Sequence, residues 1–233
     1  SAVYVIGLLA TLLVEEKHVD ATQPQHSTAA AGKGATQAVI GSAFGLLLVA
    51  GVLANAASFG ANMGRTVVMD ARGFDASAIT SAFAIGGLIN LPLPLLTGWL
   101  SDRFGRRYVM IGTYAATAAG VAILAASSSV WHFWFSMILI STVRSGHGVG
   151  AALITDMVAP DHLSESLSRY AVAPWIGGVI GYALTGVAFE TLGLVATFIM
   201  GAALPLIGIA LLAAAQPGQP VPSILRPAAA RTR

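Results

Sequence analysis

The sequence predicts an all-α membrane protein: a bundle of six spanning helices, with the end of one more helix ahead of it. Three observations carry this prediction. The 233 residues are 56% hydrophobic and only 9% charged. An ordinary soluble domain carries roughly 25% charged residues, so this chain has too few to coat a soluble surface of its size. The apolar residues fall in six nearly charge-free runs, each close to the roughly 20 residues that a helix needs to cross hydrocarbon. Between two of those runs lies a charged knot, residues 98–107 (GWLSDRFGRR), as a tight turn at the water boundary requires.

Residues 1–14 are apolar but short of a full span, and read as the back end of a truncated transmembrane helix. No Met and no basic region precede them, so a secretory signal is not expected, and the chain is expected to be a piece of a longer protein. Residues 15–36 carry Glu15, Glu16, Lys17, His18 and Asp20, then a Ser/Thr/Ala/Gly/Gln mixture without apolar periodicity. They read as a flexible cytoplasmic linker.

The bundle covers residues 37–215. Its first span is about 37–59, followed by a polar loop with Arg65, Asp70, Arg72 and Asp75. The second, 77–100, contains Asn90, Pro92 and Pro94, and ends at the knot. The third is 108–126, and Ser127-Ser128-Ser129 turns the chain into the fourth, 130–158, which carries Arg144 and His147. A loop with Pro160, Asp161, His162, Glu165 and Arg169 leads to the fifth, 170–189, interrupted by Pro174. The sixth is 192–215, and residues 216–233 form a Pro- and Ala-rich tail with three arginines.

Basic residues set the orientation. The linker, the knot, the loop after the fourth span and the tail share one side. That side holds Lys17, Lys33, Arg103, Arg106, Arg107, Arg169, Arg226, Arg231 and Arg233, against Arg65 and Arg72 on the other. The linker, knot and tail are therefore expected in the cytoplasm. Trp131 and Trp134 open the fourth span, and Trp99 closes the second, as interfacial aromatics do.

Several function classes are excluded. The chain has no cysteine, so disulfides, thiolate zinc sites and cysteine nucleophiles are ruled out. The spans hold no interior carboxylate pair for hydrolysis; the only acids near their ends are Asp156 and Glu190. Gly146-x-Gly148-x-x-Ala151 matches a dinucleotide fingerprint only as a bare pattern, since it lies inside a long apolar run and not after a short strand. No enzyme activity, cofactor, metal site or nucleic-acid partner is expected.

The knot has a local rationale. Gly98 allows close helix approach, and Gly105 suits a tight turn with unusual dihedrals. Arg103, Arg106 and Arg107 can meet lipid phosphates. Asp102 can sit near a helix N-terminus, where an exposed anion gains about 0.3–1 kcal/mol. Beyond this, Gly98-x-Leu100-Ser101-Asp102-Arg103-x-Gly105-Arg106-Arg107 resembles the loop signature G-x-L-[AS]-D-R-x-G-R-[RK] of the major facilitator superfamily. That signature joins the second and third helices of a six-helix repeat, the same place as here.

Arg144-Ser145-Gly146-His147-Gly148-Val149-Gly150-Ala151-Ala152 is similar to the family's R-x-x-Q-G-x-G-A-A pattern, with His147 where Gln is usual. Pro174, Gly177 and Gly178 match part of an antiporter pattern whose two leading glycines are here Arg169 and Ala173, a departure from the drug-antiporter subtype. The resemblance implies one six-helix repeat, with the other half of the transporter as partner. The truncated span, linker and tail suggest the C-terminal repeat, whereas the Arg144 pattern is more usual of the N-terminal one. It also implies that Asp102 latches one repeat against the other. Asp156, Glu165 and Arg169 are expected to form a cytoplasmic charge cluster with the knot, in a gating role.

Arg144 is the sharpest single residue. It lies roughly 20 Å from the start of its span at 1.5 Å per residue, too deep for easy snorkelling. A charge there costs at least about 2.5–3.5 kcal/mol unless it faces protein or water. It reads as a substrate-anion partner or a part of proton coupling, or else as an arginine bonding carbonyls of a broken helix. His147, three residues on, shares its helix face; it is either a group titrating near neutrality or a satisfied hydrogen-bonder. Asn90 beside Pro92 and Pro94 marks a broken helix lining a substrate path, or a plain proline kink. Asn55, Trp175 and Tyr182 are further cavity candidates. Gly177, Gly178, Gly181 and Gly186 read as packing within the bundle.

The expected function is secondary transport of a small solute by alternating access in a lipid bilayer, with or without proton coupling. The alternative is a non-transporting scaffold or sensor on the same fold. The expected location is the bacterial inner membrane.

Overall fold

A computed structural model describes residues 33–215, with side chains from residue 42 onward. The truncated helix, most of the linker and the tail lie outside the described residues. Seven helices follow one another: α1 (Lys33–Ala71), α2 (Ala76–Ile89), α3 (Leu93–Phe104), α4 (Arg106–Ala126), α5 (Val130–Met157), α6 (Pro160–Leu192) and α7 (Leu194–Ala214). From Ala35 onward they belong to one compact unit. Five of them are long and apolar enough to cross a membrane. The α2–α3 pair makes a sixth span, bent by 43°. This is an integral, multi-pass membrane protein.

The bend has a local cause. Pro92 cannot donate a backbone hydrogen bond, so the ladder breaks at Asn90-Leu91-Pro92. The carbonyl of Gly86 accepts the Asn90 side-chain amide at 2.8 Å and the Ser141 hydroxyl at 3.3 Å. Below the break, the Thr97 hydroxyl donates to the Ser145 carbonyl at 3.3 Å. Both halves of the bent span are thereby tied to α5.

Two expectations about boundaries are corrected. Arg65 does not lie in a loop: α1 continues to Ala71, and Arg65 is fully buried in it. Its guanidinium donates to the Ile79 carbonyl at 3.2 Å and stands 5.1 Å from the centre of the Phe83 ring. A helix tolerates that charge where α2 supplies an acceptor and a π face. The turn proper is residues 72–75, with Gly73 at φ 75° and Asp75 capping α2 through the Ala78 amide at 2.9 Å. The second correction concerns α6. The charged segment after the fourth span is helical from Pro160, a favourable first-turn position for proline, and the helix runs unbroken through Pro174.

The bundle closes by small residues meeting large ones. On α4, Gly120 faces Ile140 and the Ser136 carbonyl of α5, and the Ser136 hydroxyl donates to the Gly120 carbonyl at 2.7 Å. Along α6, Gly177, Gly178 and Gly181 abut α1 at Val52, Phe59 and Ala56. Gly186, one and a half turns further, has nothing within 4 Å of where a Cβ would stand, so the packing role covers only the first three. Phe133, Ile140, Leu124 and Phe198 anchor one apolar cluster; Met110, Tyr114, Ile154 and Leu212 anchor the other.

Candidate functional site: a cleft between α1, α5 and α6

α6 abuts α1 at Gly177, Gly178 and Gly181, and toward the start of α6 the two helices and α5 line an open cleft. It holds about 730 Å³ and is lined by Asn55, Phe59, Arg144, His147, Tyr170 and Trp175, among others. That volume is typical of a small-molecule site. Arg144 is the fifteenth of the 28 residues of α5, so it lies midway along a helix of about 42 Å. Its guanidinium is exposed to the cleft and stands 5.8 Å from the centre of the Phe59 ring. Among the described residues it makes no ion pair. His147, one turn on, meets the Tyr170 ring edge-on at 6.1 Å.

The sequence candidates are therefore partly brought together. Asn55, Arg144, His147 and Trp175 share the cleft. The Asn55 amide nitrogen is turned onto its own helix, donating to the Gly51 carbonyl at 2.8 Å. Asn90 lies apart, in a crevice of about 60 Å³ with Ser58, Asn62, Phe83 and Ser141. Arg144 lines this crevice too, so it joins the two spaces. Tyr182 does not line the cleft; it supports the wall by packing edge-on against Phe59, with ring centres 5.5 Å apart. Phe59 and Tyr170 were missed by sequence reasoning. Phe59 had a signal in spacing, since it stands one turn after the candidate Asn55; Tyr170 had none.

Among the described residues, no carboxylate lines this space. Asp70, Asp75, Asp102, Asp156, Asp161, Glu165 and Glu190 are all the acidic residues of the described chain, and all are exposed near helix ends. Arg65 stands six residues beyond Phe59 on α1, about 9 Å along the axis. Its Nε has no hydrogen-bond partner among the described residues.

At the other end of α5, the knot divides its labour. Gly105 adopts φ 95° between α3 and α4, a conformation that favours glycine. Arg106 forms an ion pair with Asp156 at 2.6 Å and also donates to the Ala152 carbonyl. Arg107 donates to the carbonyls of Leu212 and Ala213, both at 2.7 Å, and so caps the end of α7. Arg103 lies over Trp99 and Phe104, 5.5 and 5.9 Å from the ring centres. Asp102 is exposed in the last turn of α3 and makes no ion pair among the described residues.

Two expectations change here. The single charge cluster is two separate pairs: Asp156 reaches the knot, whereas Glu165 and Arg169 pair with each other at 2.5 Å along α6. A four-residue helical spacing favours that local pairing. Gly98, expected at a close helix contact, has open space around it among the described residues. The pattern at Gly146 and Gly148 lies mid-helix, where Gly146 makes room for Thr113 of α4.

Comparison with known proteins places this architecture. The chain is 32% identical to the inner membrane transport protein YajR of Escherichia coli (strain K12) over 150 residues, 63% of this chain and 32% of that protein. It is 28% identical over 112 residues to the solute carrier family 2, facilitated glucose transporter member 10 of Xenopus laevis, covering 48% of this chain and 20% of that one. Over 95 residues it is 30% identical to the tetracycline resistance protein, class D, of Salmonella ordonez, 41% of this chain and 24% of that one. The matched stretches thus span a third or less of these relatives' lengths. Residues 45–232 match the family described as Major Facilitator Superfamily, which takes in six spans and the knot together. The chain belongs to the Major Facilitator Superfamily.

Proposed function

We propose that this chain is one six-helix repeat of a secondary transporter that moves a small solute by alternating access, and that it acts without enzyme chemistry. The observation that carries the reading is Arg144, a mid-span guanidinium facing an open cleft with no carboxylate partner among the described residues. A charge at that depth is retained where it meets a substrate, an ion or water. Asn55 and Trp175 form the cleft with it, Asn90 lies in the adjoining crevice, and Tyr182 backs Phe59. His147 is the titratable neighbour through which protons would couple to the site.

The knot is the gate in this proposal. Asp102 ends α3, where a negative charge opposes the helix dipole. An unpaired acid there, beside the unfilled space at Gly98, suits a helix N-terminus from a second repeat. Arg106, Arg107 and Asp156 hold the gate's own helices together, while Arg103, Glu165 and Arg169 present charge at the same boundary. The excess of basic residues on that side supports a cytoplasmic boundary. Bacterial relatives, one of them an inner membrane protein by name, support the inner membrane as its location.

This chain contains no cysteine, so Ala171→Cys, in the full-length protein with any cysteine outside this chain replaced by serine, puts a single thiol on the cleft wall. Alternating access predicts that this thiol reacts from either side of the membrane, with proportions that shift with conditions. Reaction from one side only, under every condition, would favour the scaffold or sensor reading instead.

A further inference from the structure

The charge balance of the bundle interior points to the kind of solute carried. The inference rests on the cleft being the substrate site. Two guanidiniums lie within the membrane-spanning region without an ion pair among the described residues, Arg144 in the cleft and Arg65 further along α1. Neither meets a carboxylate at ion-pair distance among the described residues: Arg144 has a phenyl face, and Arg65 has a carbonyl, a phenyl face and an Nε with no partner there. The crevice at Asn62, Phe83 and Asn90 is lined by Arg144 and by Phe83, the ring that Arg65 faces. In a low-dielectric interior, uncompensated positive charge attracts an anion and repels a cation over such distances. The remaining lining is largely apolar and aromatic, with Phe59, Ala151, Leu167 and Trp175.

We propose that the transported solute is an amphipathic organic anion. Its anionic head pairs with Arg144, and its apolar body lies against Phe59 and Trp175. Asn55 and His147 stand beside the head as hydrogen-bonding groups. The positive field of Arg65 adds to that of Arg144 along the crevice and extends the anion's path toward the Ala71 end of α1.

The test works without an identified substrate. In the full-length Ala171→Cys protein, the thiol is reacted with two small methanethiosulfonates, one carrying a sulfonate and one a quaternary ammonium. Each rate is normalised to that of a free thiol. The anionic reagent is expected to be favoured by tenfold or more, and Arg144→Gln is expected to remove most of that preference. A normalised ratio of one or less, or a preference that Arg144→Gln leaves unchanged, overturns the proposal.

Because Arg144→Gln can fail to fold, protection is measured with Arg144 in place, using benzoate, benzyl alcohol and benzylamine. Benzoate is expected to slow labelling most. Protection by benzylamine equal to or greater than that by benzoate overturns the assignment. A carboxylate supplied from outside this chain would produce that second pattern. Alternating exposure of the thiol is read in the same experiment, so a transporter of cations or neutral solutes is distinguished from a protein that does not transport.

Discussion

Arg106, the first residue of α4, places its guanidinium 2.6 Å from the carboxylate of Asp156 in the last turn of α5. The same guanidinium donates to the Ala152 carbonyl one turn earlier. One side chain thus fastens the knot to the helix that carries Arg144. The Asp156 side chain is 59% exposed, and exposed pairs contribute only about 0.2–1 kcal/mol.

Asp156→Asn is therefore expected to cost under about 1 kcal/mol of stability while loosening the gate. The measurement is a double-mutant cycle with Arg106→Gln, following thermal unfolding in detergent and cytoplasmic thiol accessibility together. A coupling well above 1 kcal/mol with unchanged accessibility would make the pair structural and not a gating contact.

Arg107 predicts a different outcome. It donates to two carbonyls at the end of α7, Leu212 and Ala213, which otherwise lack helical partners. Hydrogen bonds from a charged donor contribute about 1.5–3 kcal/mol, and part-exposure puts these at the lower end. Arg107→Ala should fray the last turn of α7, seen as faster amide exchange confined to residues near 208–214. Uniform exchange across the bundle would instead mean that Arg107 holds the fold as a whole.

Much of this was legible in the sequence, for identifiable reasons. Hydropathy located the six spans because lipid leaves few other options for long apolar runs. The knot stood out because its charges contrast with everything around it. Arg65 was misread because a lone arginine in an apolar stretch looks like a loop until its acceptor on another helix, Ile79, is known. Buried apolar residues at helical spacing on both sides of it, Ala61 and Val68 among them, carried the helix through. The pairing of Asp156 with Arg106 and not with Arg169 depends on reach between α4 and α5, 50 residues apart in sequence. Gly177 and Gly186 look alike in sequence, and only their neighbours separate them.

That difference between glycines is itself testable. A Cβ at Gly177 would stand 2.5 Å from the Val52 carbonyl oxygen and 2.9 Å from the Asn55 Cβ. At Gly181 it would run into the backbone of Ala56. Backbone cannot move aside as a flexible side chain can, so Gly177→Ala and Gly181→Ala should each cost about 1–3 kcal/mol or more. Gly186→Ala meets open space, and exchanging glycine for alanine within a helix favours folding by roughly 0.5–1 kcal/mol. Thermal unfolding should therefore fall for the first two variants and hold or rise for the third. Equal losses at all three positions would contradict the α1–α6 contact.

The turn between α1 and α2 carries a pH dependence of defined sign. The Asp75 carboxylate accepts from the Ala78 amide at 2.9 Å and from the Ser77 hydroxyl at 2.9 Å. These bonds, the Ala78 amide first, favour the ionised form and hold its pKa below the usual carboxylate value. A depressed folded-state pKa means that the cap's contribution is fully present above the ordinary Asp value of about 3.9. It is lost as pH falls through the depressed value. Protection of the Ala78 amide from hydrogen exchange should thus persist somewhat below about pH 3.9, then decline. Asp75→Asn retains an acceptor that cannot ionise, so its Ala78 protection should not change over the same acid range. If the two proteins lost protection in parallel on acidification, the cause would lie elsewhere in the bundle and not in the Asp75 carboxylate.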